Sequence, residues 1–131
     1  MYKLYRDLLQ DIEQIKLIDT NLEDCSPWFI DILVNEDDER ADLAKFLGEK
    51  VIATRPFYPT IHSQPPYSHV KGQFNNSDYI SKHGLWLPSS SFLSDEDIER
   101  IRAEIRKQKG TSLDDKEKSQ RRTFSLDYNT S

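Results

Sequence analysis

Four prolines fall within eleven residues, Pro56, Pro59, Pro65 and Pro66, and no other feature restricts the fold of this chain as much. Proline fixes φ and carries no N–H, so neither a helix interior nor the middle of a sheet can pass through this stretch. The same prolines interrupt the longest uncharged run, Pro56 to Val70. A membrane-crossing helix needs about 20 mostly apolar residues, so this run is not one. The prolines therefore predict an irregular, stiff segment, with the regular elements lying to either side of it.

On the N-terminal side, Leu4, Leu8, Ile12 and Ile15 recur at helical spacing, and Tyr5 and Leu9 widen the stripe. The spacing predicts a helix over 2–16. Pro27 stops any helix before Trp28. The run Trp28-Phe29-Ile30-Asp31-Ile32-Leu33-Val34 predicts a central strand, apolar on both faces except at Asp31. The acidic stretch Asn35–Asp38 opens a second helix, buried through Leu43, Ala44 and Leu47, with Gly48 as its C′ stop. Val51-Ile52-Ala53-Thr54 predicts a second strand leading into the prolines.

Beyond them, a short helical turn runs from Asn75 to Lys82 and Gly84 closes it; Leu85-Trp86-Leu87 is a third strand ended by Pro88. The last helix has the strongest local signals. Ser94 and Asp97 fit a capping box, and Leu93 with Ile98 fits a hydrophobic staple. Asp95 and Glu96 suit the positive end of its dipole, Lys107 and Lys109 the negative end. Ile98, Ile101 and Ile105 form its core face. The order α-β-α-β-loop-β-α predicts an α+β fold, a small, mostly antiparallel sheet with packed helices.

At 131 residues the chain suits one domain with a true core. From Gly110 to Ser131 four Lys or Arg balance four Asp or Glu, so the whole net charge of −5 lies in residues 1–109. The tail offers only Leu113, Phe124, Leu126 and Tyr128 for burial. The expectation is a domain over 1–109 and a disordered polar tail over 110–131. An acidic domain argues against nucleic acid as partner. Charged residues close behind Met1 argue against a signal peptide, and the expected compartment is the cytoplasm, with no membrane partner.

Catalytic patterns are sparse. Cys25 is the only cysteine, which excludes an internal disulfide and a cysteine-rich zinc site; with no activating neighbour it reads as a small packing residue. His62, His69 and His83 lack HxH or HExxH spacing, so no metal site is expected. A GxSxG elbow and a Gly-rich phosphate loop are both missing. Asp31 inside an apolar strand fits a solvated sheet face better than a site-facing acid. The segment Arg55–Tyr67 is richer: a cation, phenols, an imidazole and an amide on a backbone stiffened by proline. From the residues alone it is either a binding loop or a connector whose aromatics pack on the sheet.

The ordered set Trp28–Val34, Ile52–Pro59, His62–Tyr67, Asn76-Ser77-Asp78, Leu85–Ser90 and Leu93–Ile98 resembles the C-terminal small domain of the DegT/DnrJ/StrS family of sugar aminotransferases, and among them the perosamine-synthase-like members. The resemblance covers about residues 2–107. It implies a fold type I aminotransferase in which a large domain carries pyridoxal phosphate on a lysine and the small domain closes over the active site. Such enzymes are homodimers that transfer an amino group, usually from glutamate, to a nucleotide-linked keto sugar in amino-sugar and polysaccharide biosynthesis. By this resemblance His62 approaches the sugar, and Tyr58 and Arg55 flank the same pocket.

Two departures are local. Asn75 stands where the family commonly has proline, and Gly48-Glu49-Lys50-Val51 lacks the usual glycine just before the second strand. A larger one is that none of the ten lysines lies in the family's lysine motif. Transamination needs that lysine, so the chain is expected to bind no cofactor, and to supply no catalytic residue, by itself. Its expected partners are a large-domain aminotransferase chain or homologue and the nucleotide sugar; the alternative is a non-catalytic module for sugar-nucleotide binding or dimer pairing. A domain of this kind should bare an apolar face, for which Leu4, Tyr5, Leu8, Phe57 and Tyr58 are the candidates.

Overall fold

A computed structural model describes the backbone of residues 1–126, and the side chains of these except residues 37, 38 and 111–126. The elements are α1 (Tyr2–Leu9), β1 (Ile15–Leu17), β2 (Ile30–Val34), α2 (Asp37–Glu49), β3 (Arg55–Pro56), two 3₁₀ turns (Ile61–Ser63 and Pro65–Tyr67), α3 (Asn75–His83), β4 (Gly84–Leu87) and α4 (Asp95–Leu126). The strands form one antiparallel sheet in the order β1-β2-β4-β3. This is the expected α+β class. Of the tail expected to be disordered, the backbone of residues 110–126 continues α4, while the side chains beyond Gly110 and residues 127–131 are not described.

The first helix is shorter than its apolar spacing suggests. It ends at Leu9. Ile12 and Ile15 are buried as predicted, but Ile12 lies in a turn and Ile15 opens β1 opposite Val34. A stripe with a three-residue step suits a helix and equally a turn that hands over to a strand, so tertiary pairing decides between them. Tyr5, a candidate for the exposed face, is instead fully buried. Its hydroxyl donates to the Pro88 carbonyl at 2.8 Å; burial, and then the charge of Asp97, push the phenol pKa up. Leu4 and Leu8 pack partly buried against the core.

In β2, Ile30, Ile32 and Val34 are buried while Asp31 and Leu33 are half-buried. The strand is therefore one-faced rather than apolar on both sides, and Trp28 and Phe29 precede it. Helices α2 and α4 pack on the face that Ile30, Ile32, Val34, Leu85 and Leu87 share with Leu43, Leu47, Ile98, Ile101 and Ile105.

The predicted strand at 51–54 is not one. Ile52 is buried, yet the ladder begins only at Arg55, opposite Trp86, and ends at Pro56, opposite Leu85. The cause is the way α2 stops. Gly48, the expected stop, lies inside the helix; the left-handed residue is Val51, with φ of 60°. Val51 N–H bonds Gly48 O and Ile52 N–H bonds Leu47 O, both at 2.9 Å. These are the two bonds of a Schellman motif, and Ile52 against Leu47 supplies its apolar contact.

The start of α4 matches its signature. Asp97 N–H donates to Ser94 Oγ at 3.1 Å and Ser94 N–H to Asp97 Oδ2 at 3.0 Å. Further along, Lys109 is 2% exposed and ion-paired with Glu39 at 3.0 Å, which ties α4 to α2.

Candidate functional site

The proline-rich loop leaves the sheet at Phe57, whose N–H bonds Gly84 O at 3.1 Å. Residue 84 must be glycine for this: a Cβ there would lie 2.3 Å from Phe57 Cγ and 2.7 Å from the Ile80 carbonyl oxygen. Ser81 Oγ–H holds the Tyr58 carbonyl at 2.9 Å. From there the loop satisfies its own backbone. Tyr67 N–H bonds Gln64 O, Gln64 N–H bonds Ile61 O, and the Ser63 hydroxyl donates to Thr60 O. The prolines set φ, the 3₁₀ turns close the hydrogen bonds, and the side chains are left free to face α3.

Between loop and α3 lies a cavity of about 540 Å³, with Tyr58, Thr60, His62 and Tyr67 on one side and Phe74, Ser77, Ile80 and Ser81 on the other. His62 spans it. Its Nε2 is 2.8 Å from Asp78 Oδ1 and 3.3 Å from Thr60 Oγ1, and its ring stacks on Phe74 at 4.5 Å. A carboxylate only accepts, so Nε2 carries the hydrogen; in the neutral ring Nδ1 is then the acceptor. Apolar walls with a few hydroxyls and one oriented imidazole suit a small ligand that has hydroxyls on an otherwise apolar frame.

The three predicted residues are not brought together equally. His62 and Tyr58 line the cavity; Arg55 does not. It is exposed on β3, with its guanidinium carbon 5.9 Å from the centre of the Tyr58 ring. Asp78 was legible only as part of Asn76-Ser77-Asp78, with no role attached, and Phe74 carried no signal. Both meet His62 through the fold alone. Among the described residues no group of three His, Cys, Asp or Glu could hold a metal ion, and no helix is long and apolar enough to cross a membrane.

Pyridoxal phosphate, which the resemblance brings with it, does not fit this cavity. No lysine lines it to form an imine, and no acid lines it to face a pyridinium nitrogen. Lys109, the buried lysine among the described residues, is tied to Glu39 between α2 and α4.

Residues 1–106 match the family model described as the DegT/DnrJ/EryC1/StrS aminotransferase family, a family that depends on pyridoxal phosphate in general. The chain is 32% identical over 71 residues to the GDP-perosamine synthase of Escherichia coli O157:H7, covering 54% of this chain and 20% of that protein. With the GDP-perosamine synthase of Vibrio cholerae it is 34% identical over 80 residues, covering 58% and 22%. The chain thus spans about a fifth of the curated relatives it matches. Its fold is similar to the aminotransferase TlmJ from Streptoalloteichus hindustanus, with a TM-score of 0.74 at 20% identity over 84% of this chain and 30% of TlmJ. By sequence over most of its length, with the fold in agreement, this chain belongs to the DegT/DnrJ/EryC1/StrS aminotransferase family.

Proposed function

We propose that this chain is the substrate-facing small domain of a nucleotide-sugar aminotransferase and works together with a large domain of the same family. The large domain supplies the pyridoxal phosphate chemistry, with glutamate as amino donor. The residues present here bind and orient the sugar. The observation that carries the reading is the loop cavity: the His62 ring is oriented by Asp78 and Phe74, hydroxyls surround it, and no lysine lines it. That is a site able to hold a hydroxylated ligand and unable to aminate it. Tyr58 and Thr60 extend the same surface, and Arg55 borders it from the sheet edge.

The test is a chimera in which residues 1–109 replace the matching segment of the E. coli O157:H7 GDP-perosamine synthase. The chimera should keep amino transfer and lose most of it on His62→Ala. A chimera that folds and takes up pyridoxal phosphate but transfers no amino group overturns the reading and favours the non-catalytic module. The isolated chain should show no aldimine absorption with pyridoxal phosphate; a borohydride-trappable adduct on one lysine would contradict this.

A further inference from the structure

Directly opposed residues in an antiparallel ladder share a face. Asp31 is opposite Trp86, and Trp86 is opposite Arg55, so the three side chains lie in one row on the sheet face away from the core packed by α2 and α4. The Trp86 ring is held closely there. Phe29 stacks on it at 4.4 Å, Phe57 leans on it at 5.0 Å, and Tyr58 meets it edge-on at 5.0 Å. Phe57 and Tyr58 also line the loop cavity, so this indole is the joint between sheet and loop. Ring contacts fix the plane of the indole but offer its one polar edge no partner. An acceptor opposite that edge sets which way round the ring lies.

We propose that Asp31 is a positioning residue of the cavity: its carboxyl takes the Trp86 indole N–H, which locks the ring, and the locked ring sets the Phe57–Tyr58 wall. The register sets the two side chains directly opposite each other, within reach of such a bond. Asp31 is also costly where it stands, since burial raises its pKa and the Trp86 bond offsets only part of this. An apolar residue would suit this strand better for stability alone. The functional half of the inference rests on the cavity being the sugar site; the structural half does not.

The test uses the full chain with Trp28→Phe, which leaves Trp86 as the only indole. In proton–nitrogen NMR, Asp31→Leu should make the indole N–H exchange about tenfold faster, as expected on loss of a hydrogen bond to a charged group, and should shift the Tyr58 ring protons. Asp31→Asn keeps an acceptor oxygen and should restore both. Trp86→Phe should shift Tyr58 as Asp31→Leu does, and adding Asp31→Leu to it should shift Tyr58 no further. Unchanged indole exchange in Asp31→Leu, or an undiminished Tyr58 response in the Trp86→Phe background, overturns the proposal; the second measurement serves if Asp31→Leu alone does not fold. In the chimera, Asp31→Leu should raise KM for the sugar severalfold more than it lowers kcat. An unchanged KM alongside shifted Tyr58 resonances leaves the hold of Asp31 on the wall intact and counts instead against the cavity as the sugar site.

Discussion

Val51 adopts the left-handed conformation at φ 60° and is 91% exposed, so it bears the strain of a Schellman turn with no packing in return. A left-handed L-residue costs about 1–2 kcal/mol, and glycine escapes that cost but loses more entropy on folding. Val51→Gly should therefore raise stability by about 1 kcal/mol, read as a higher urea midpoint with an unchanged slope. The family's missing glycine was legible as a departure; which residue bears the turn was not, because Gly48 offered an earlier stop. His62 answers differently. It lies outside the core but ties the loop to α3, so His62→Ala should cost about 1 kcal/mol, whereas Ile101→Ala, at 3% exposure in the core, should cost about 2–5 kcal/mol. Thermal melts of the two variants decide this; equal losses would make His62 a structural residue only.

Among the elements, α4 was the most legible because its start is written within four residues. Ser94→Ala should cost about 1 kcal/mol, measured by denaturant unfolding. Asp97 has its carboxyl pKa lowered, first by the Ser94 backbone N–H and then by its hydroxyl. A lowered folded pKa means the stabilisation is present above the ordinary carboxylate range and is lost as pH falls through the depressed value. Asp97→Asn should thus flatten the acid limb of stability against pH, and an unaltered limb would exclude this origin. In contrast, β1 was not legible: Ile15-Lys16-Leu17 becomes a strand only because Val34-Leu33-Ile32 lies opposite, and that partner is distant in sequence. The strand at 51–54 was misplaced for a related reason, since Ile52 is buried as the close of a helix cap and not as part of a ladder.

At the scale of the whole molecule, one sheet face is covered by helices and the other carries rings. Trp28 is 81% exposed and Tyr58 63% exposed, while Phe29 stacks between the Trp28 and Trp86 rings. The sequence pointed to Phe57 and Tyr58 for an open face but also to Leu4, Tyr5 and Leu8, of which Tyr5 is buried and the two leucines pack partly buried on the core, because a helical stripe does not say whether the rest of the same chain covers it. Contiguous exposed apolar surface usually marks a partner site. The isolated chain should self-associate at high concentration, and Trp28→Ser should weaken this in sedimentation; strictly monomeric behaviour of the parent chain would rule it out. How far such association can go is limited by β3. It is an edge strand of two residues, and one of them, Pro56, has no N–H to offer an incoming chain. Copies that meet through their rings are thereby denied strand addition along this margin, and any lateral growth of the sheet is confined to its other edge, the three-residue β1.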